Sequence, residues 1–270
     1  MGNMFMKQNK LTNKKIIVTG ASSGIGEQIV RHVALNGGIP IMLARSKEKL
    51  DKIQHSIKRD YHINSAVYKI NLTDIQELEL LADRIIKEQK QVHGLINNAG
   101  LGYFKYIKDT SWQEIEEMLF LNVNTVIKLT QLFLPHFIEH GQGHIINIAS
   151  QAGKIATPKS AVYAATKHAV IGYTNGLRLE TKEHRIHVTS INLGPVKTNF
   201  FTKADPEGSY QKSVEKYMLD PDYVASRVVG VLFKRKREIN LPVWMEMGSR
   251  LYHIFPGLME RLLKRQFNKK

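Results

Sequence analysis

The sequence contains no cysteine. That excludes disulfides, thiolate nucleophiles and every cysteine-based zinc site at once. Acidic residues are scarce: 24 Asp and Glu stand against 39 Lys and Arg, a formal net charge of +15. This sign suits a nucleic acid, an anionic membrane surface or a polyanionic cofactor, and equally a solvated lysine-rich surface. No helix-turn-helix or RNA-binding signature accompanies it, so nucleic acid is not an expected partner. No run approaches the ~18 uncharged apolar residues of a membrane-spanning helix. The first residues, Met-Gly-Asn-Met-Phe-Met-Lys, lack the apolar stretch of a signal peptide. Position 6 also lacks the Ser or Thr of a myristoylation motif. A cytoplasmic protein is expected. The histidines have no HExxH-type context, so no metal is expected. There is no internal repeat and no linker.

What remains is an alternation. Short β-rich runs lie at 15–19 (KIIVT), 39–44 (IPIMLA), 66–70, 94–97, 144–148 (HIINI), 185–192 and 239–241. Helical spacing fills the intervals at 25–35, 47–61, 74–87, 162–181 and 223–233. Residues 111–140 hold two helical patterns with Asn122 between them. Such alternation predicts a single α/β unit: a doubly wound parallel sheet of about seven strands with helices on both faces. A chain of 270 residues suffices for one such core. Residues 1–13 read as a loose tail. Residues 199–219 mix aromatics with Gly, Pro and charge, a composition suited to a lid or substrate loop.

The first run ends in Thr19-Gly20-Ala21-Ser22-Ser23-Gly24-Ile25-Gly26 and opens directly into a helical pattern. Glycines there let the backbone turn sharply and approach a pyrophosphate, which the free N–H groups of the helix start then bind. A plain strand-to-helix turn is the bland alternative, and the strand-before, helix-after context argues against it. The second run ends at Arg45-Ser46, with no acid before Glu48. A guanidinium suits a ribose 2′-phosphate, whereas an acid suits the 2′-hydroxyl of NAD. NADP(H) is therefore expected over NAD(H), with Ser46 and Ser22 as hydroxyl donors; the alternative is an Arg45 that merely lies on the surface.

The spacing Gly-x3-Gly-x-Gly resembles the TGxxxGxG signature of the short-chain dehydrogenase/reductase family. Further motifs extend the resemblance: Asn97-Asn98-Ala99-Gly100 matches its NNAG. Ser150, Tyr163 and Lys167 match its Ser and Tyr-x3-Lys, and Asn122 falls where the family has its active-site Asn. The match runs from about residue 14 to 241. It implies a Rossmann-like oxidoreductase domain that interconverts a ketone or aldehyde with an alcohol by hydride transfer. It implies cofactor contacts at Gly20, Ser22, Ser23, Gly24, Ile25, Gly26, Arg45, Ser46, Asn71, Leu72, Asn98, Ala99, Tyr163, Lys167, Val196 and Thr198. Two positions depart from the pattern. Asn71 stands where the family often has Asp, and Leu193-Gly194 stands where Pro-Gly is common.

Tyr163 and Lys167 are one helical turn apart and share a face. A free phenol has a pKa near ~10, and a neighbouring ammonium favours the phenolate. Tyr163 is thus expected as proton donor and acceptor, with its pKa lowered by Lys167. Ser150 is expected to donate to the substrate oxygen. The resemblance adds Asn122 as the holder of a water in a relay to Lys167, and Val196 and Thr198 as holders of the nicotinamide carboxamide. Leu101, Tyr103, Phe104, Ile155, Phe200 and Phe201 are candidates for a lipophilic pocket, or alternatively for core or interface; Tyr103, Phe104 and Phe200 join Ser150 and Tyr163 as the expected substrate contacts. A homodimer or homotetramer is expected. Residues 242–270 form a basic amphipathic extension, with six Lys or Arg and two Glu beyond Leu241. It is expected to pack on its own domain, on a second subunit or on a membrane surface, with a helix break at Pro256-Gly257. A non-catalytic, cofactor-sensing scaffold is the competing functional reading; the retained Ser150, Tyr163 and Lys167 argue against it.

Overall fold

Ile16, Ile17 and Val18 are three consecutive apolar residues, and all three are fully buried. A strand sends successive side chains to opposite faces, so such a run demands cover on both sides. The computed structural model, which describes residues 10–262, supplies it. Among these residues seven strands form one parallel sheet in the order β3-β2-β1-β4-β5-β6-β7. They are β1 (Lys15–Thr19), β2 (Ile39–Ala44), β3 (Ala66–Lys69), β4 (Gly94–Asn97), β5 (Gly143–Ser150), β6 (Ile186–Leu193) and β7 (Glu238–Leu241).

The helices in chain order are α1 (Gly24–Leu35), α2 (Lys47–Tyr61), α3 (Ile75–Gln89), α4 (Trp112–Leu119), α5 (Thr125–Glu139) and α6 (Ala161–Glu180). They continue with α7 (Phe200–Ala204), α8 (Ser209–Val214), α9 (Pro221–Val229), α10 (Val243–Ile254) and α11 (Pro256–Leu262). On one sheet face Ile16, Val18, Met42 and Ile146 meet Ile29 and Val33 of α1, Leu50 of α2 and Val228 of α9. On the other, Ile17, Leu43, Leu95 and Ile145 meet Leu78 of α3, Phe133 and Phe137 of α5 and Leu177 of α6. Local chemistry sets the helix starts. Ser46 accepts from Lys49 N, Asp74 from Glu77 N, and Ser111 and Glu114 form a reciprocal capping box.

Several segments differ from the sequence expectation. The helical patterns around Asn122 are one continuous rod, Trp112–Glu139, joined by a π turn over Phe120–Asn124. Among the described residues this is the one helix long and apolar enough to cross a membrane, but Val126, Leu129, Phe133 and Phe137 bury its inner face against the sheet. Residues 199–219 are largely helical, and the segment's two ends are tied together. Lys197 N donates to Leu219 O and Leu219 N to Pro195 O, each at 2.9 Å. The helix expected at 223–233 begins two residues earlier because Asp220 caps it and Pro221 occupies its first turn. The expected break near Pro256 is present, between α10 and α11. Of the tail expected to be loose at 1–13, residues 10–13 are described and are docked: Leu11 is buried in the core and its N donates to Asn36 O at 3.0 Å. Residues 1–9 and 263–270 lie outside the described residues.

Candidate active site

The strand order reverses between β1 and β4, since β2 and β3 lie on one side of β1 and β4 on the other. Ligands of open parallel sheets sit at the carboxyl ends of the strands beside such a reversal. Here the two strand ends are knotted by Thr19. Its Oγ1 accepts from Asn98 N and Ala99 N, both at 2.9 Å, while Asn98 Nδ2 donates to Thr19 O at 2.9 Å. The knot presses on the glycine turn. A Cβ at Gly26 would lie 2.2 Å from Gly20 O and 2.6 Å from Asn98 Nδ2, so no side chain fits there. Gly20 and Gly24 have φ of +65° and +57°, a region that suits glycine. Ser23 caps α1 without a side-chain hydrogen bond, so its hydroxyl leaves the first helical N–H groups to other acceptors. Across the cleft, Thr198 Cγ2 comes within 3.2 Å of a Cβ at Gly24.

Beyond this turn a cavity of about 660 Å3 opens over the ends of β4, β5 and β6. Ser150, Tyr163 and Lys167 all line it, together with Ile25, Asn98, Val196 and Thr198. β5 delivers Ser150, and its terminal φ and ψ of −152° and 159° keep the residue extended before the chain turns. Ser150 Oγ donates to Leu193 O and accepts from Ala152 N, each at 3.1 Å. α6 delivers Tyr163 and Lys167. Lys167 Nζ donates to Ile148 O at 3.0 Å and stands 5.8 Å from the Tyr163 ring centroid.

Burial governs the protonation of both groups. It pushes the Tyr163 hydroxyl up to about 12, against the opposing pull of its hydrogen bond with Ser150. Burial also pushes the Lys167 ammonium down to about 8. The sequence expectation of a phenol lowered by Lys167 is therefore not met. The ammonium is anchored on a carbonyl and approaches the ring, and desolvation disfavours both charged forms.

Asn122 lies behind the cavity, 1% exposed. Its Oδ1 accepts from Leu101 N at 2.9 Å, and its Nδ2 donates to Leu101 O at 2.8 Å and Thr166 Oγ1 at 3.1 Å. The amide thus clamps the segment leaving β4. A Cβ at Gly100 would fall 3.2 Å from Asn122 Oδ1 and 3.6 Å from Lys167 Nζ, so Gly100 keeps the two residues in near approach.

Of the expected substrate contacts, Phe104 and Phe200 line the cavity, as do Leu101, Ile155 and Phe201. Tyr103 does not. Its hydroxyl donates to Glu117 at 2.6 Å and Lys203 sits 4.9 Å over its ring, so it faces a charged pair on the surface. Arg45, Ser46, Asn71 and Leu72 lie past the ends of β2 and β3, away from the cavity. Arg45 is exposed and has no ion pair among the described residues. Ser46 Oγ is occupied in capping α2, Asn71 Oδ1 accepts from Thr73, and the Leu72 side chain is core.

Sequence reasoning missed several walls of the cavity. Tyr210 packs edge-on to Phe104 at 5.2 Å, and burial with the Asp205 carboxylate pushes its hydroxyl up to about 12. Gln151 donates to Asn192 O at 3.1 Å and leaves a buried Oε1 with no partner. Trp244 and Met245 of α10, and Met259 of α11, close the far side. Gly194 makes room for this closure, since a Cβ there would meet Met245 Sδ at 2.9 Å.

This fold and constellation have known counterparts. The family model for short chain dehydrogenases matches residues 14–208. An uncharacterized oxidoreductase of Staphylococcus saprophyticus is 32% identical over 224 residues, covering 82% of this chain and 90% of the relative. Dehydrogenase/reductase SDR family member 7B of Bos taurus is 30% identical over 261 residues, covering 93% and 80%. An alcohol dehydrogenase from the archaeon Thermococcus sibiricus, complexed with 5-hydroxy-NADP, superposes with a TM-score of 0.76 at 27% identity. That likeness covers 84% of this chain and 95% of the archaeal one. The chain belongs to the short-chain dehydrogenase family and is an oxidoreductase of that family.

Proposed function

We propose that the protein is an NADP(H)-dependent oxidoreductase that interconverts a lipophilic ketone or aldehyde with its alcohol. One observation carries this reading: Ser150, Tyr163 and Lys167 converge on a single cavity whose other walls are aromatic and aliphatic. A scaffold protein has no need of a buried lysine beside a half-buried phenol on a cavity wall.

The glycine turn fits a dinucleotide. Gly26 admits no Cβ, the N–H groups at the start of α1 are left by their cap, and Thr198 faces Gly24 across the cleft. Gly20, Ser22, Ser23, Gly24 and Ile25 would cradle the diphosphate, and Arg45 with Ser46 the 2′-phosphate. Asn71, Leu72, Asn98 and Ala99 would border the adenosine half, Lys167 the nicotinamide ribose, and Val196 and Thr198 the carboxamide. The bound dinucleotide supplies or takes up the hydride.

The chain's own residues do the rest. In reduction the carbonyl oxygen lies between Ser150 and Tyr163. As the carbonyl carbon gains its hydrogen, the C=O π pair moves onto oxygen, which takes the Tyr163 proton. A phenol held near 12 is fully protonated at neutral pH and still far more acidic than an alcohol, so this transfer runs downhill. Ser150 Oγ turns its proton from Leu193 O to the developing oxyanion. Lys167, charged below about 8, stabilises the phenolate left behind. Asn122 positions the strand end rather than touching substrate. Phe104, Phe200 and Tyr210 exclude water around the reacting carbon.

A panel of ketones and aldehydes followed by loss of NADPH absorbance tests this. Apolar cyclic or aryl ketones should be turned over, and NADH should serve less well. Arg45→Ala should weaken NADPH by about tenfold or more while leaving NADH nearly unchanged. Equal effects on the two cofactors would refute the 2′-phosphate assignment, and an inert panel would refute the reductase.

A further inference from the structure

α10 is amphipathic the wrong way round for a helix that covers a core. Val243, Met247, Leu251 and Ile254 recur at helical spacing, and they are 68%, 70%, 46% and 66% exposed. The opposite, polar face is the buried one. Ser249 is 2% exposed and Glu246 9%, with Glu246 ion-paired to Lys154 on one side and Arg250 on the other. The apolar stripe does not stop at the break. Phe255 at the break and Leu258 and Leu262 of α11 continue it, all more than half exposed. A soluble surface rarely carries so long an uncovered apolar stripe without a partner.

The charges around the stripe select the partner. Glu246 is neutralised by Lys154 and Arg250 together, and on α11 exposed Glu260 offsets Arg261, so the two helices themselves are near charge balance. The sequence then adds Lys264, Arg265, Lys269 and Lys270. A second copy would bring the same cations, on a chain of net charge +15, against them. An anionic lipid surface attracts them while its acyl region takes the apolar side chains. Trp244, stacked edge-on to Tyr217 at 5.9 Å, is half-exposed beside the stripe, where an amphipathic ring suits a lipid–water boundary.

We propose that α10 and α11 dock the protein on anionic bilayers through the face formed by Val243, Met247, Leu251, Ile254 and Leu258. The same two helices supply Trp244, Met245 and Met259 to the cavity wall, so docking sets the cavity beside the bilayer. A lipophilic substrate would then enter from the lipid rather than through water. The docking rests on the helix faces alone, and only this route rests on the reductase reading above.

Flotation of the full chain with vesicles separates the two. Vesicles of phosphatidylcholine with about one-third phosphatidylglycerol should carry the protein upward, and pure phosphatidylcholine about tenfold less. Met247→Glu combined with Ile254→Glu should lower flotation about tenfold or more, with NADPH binding and circular dichroism unchanged. Both positions face away from the cavity, so basal turnover of a water-soluble carbonyl should persist. Flotation that is absent in the wild type, or untouched by the paired substitution, would overturn the proposal. So would light scattering showing that the pair splits a dimer, since a second copy would then cover the stripe. A wild-type chain that floats but turns over no carbonyl would fault the reductase reading and leave the docking intact.

Discussion

Tyr163 and Lys167 each sit in an environment that opposes their charge, and the two oppositions differ in consequence. A phenol pushed up to about 12 loses no proton across the working range, so it does not limit reduction from the alkaline side. An ammonium pushed down to about 8 does. Lys167 carries its charge below that value and loses it above, so kcat/KM for reduction should be flat near neutrality and fall as pH rises through about 8. Initial rates from pH 6 to 10 at saturating NADPH check this, and a profile flat to pH 10 would remove Lys167 from the chemistry. The environment behind these values was not legible in the sequence. Helical spacing placed Tyr163 and Lys167 on one face, but only the packing shows that Lys167 is buried and Tyr163 half-buried against it. Tyr103 and Phe104 illustrate the same limit. They are adjacent in a segment without periodicity, and nothing in the sequence says which faces the cavity and which meets Glu117 and Lys203.

At the scale of elements, β1 and β2 were legible because each is a continuous apolar run, and a run buried on both faces has one meaning in an α/β alternation. β6 and β7, broken by polar residues, were legible from their place in that alternation. The turn at Gly20–Gly26 was legible because each glycine answers a backbone need, a positive φ or a contact that admits no Cβ. The π turn at Phe120–Asn124 was not, since one extra residue in a helical turn leaves no compositional mark. α7 and α8 escaped because five and six residues are too short for a period to emerge. α10 was legible as a helix but not in its orientation, because its apolar stripe faces outward and its buried face is polar. Lys154 holds it there. The residue lies just after Ser150, largely buried, and its Nζ reaches both Glu246 of α10 and Glu238 of β7. Lys154→Met should release α10 from the cavity rim, lowering stability by about 1–3 kcal/mol because a buried carboxylate loses a partner. KM for the carbonyl should rise severalfold while the Kd for NADPH stays within about twofold. An unchanged KM would show that α10 does not shape the site.

For the whole molecule, the amino-terminal edge of the sheet contrasts with the catalytic edge. His144 is fully buried at the start of β5, where Nδ1 accepts from Phe233 N and Nε2 pairs with Thr189, and burial followed by His187 pushes its pKa down to about 3. His93 Nδ1 accepts from Lys15 N, and burial followed by Lys14 and Lys15 pushes it down to about 4. Both lie below the ordinary value of 6.5. The unfolded chain therefore binds protons that the folded chain refuses. Stability is fully present above about 6.5 and is lost as pH falls toward 4 and then 3. Each histidine contributes up to about tenfold in the folding constant per pH unit across that window. Urea midpoints at pH 7, 6, 5 and 4 should fall monotonically, and a midpoint constant to pH 4 would contradict the burial of these rings.

The central claim is that Tyr163 is the proton donor to a substrate oxygen, with the dinucleotide held elsewhere. Tyr163→Phe keeps the ring that packs on Phe104 and Phe200 and removes only the hydroxyl. Turnover of the best ketone by this variant should fall by about 10²–10⁴ with the NADPH Kd within a few fold of the parent. Turnover equal to the parent's would contradict the account.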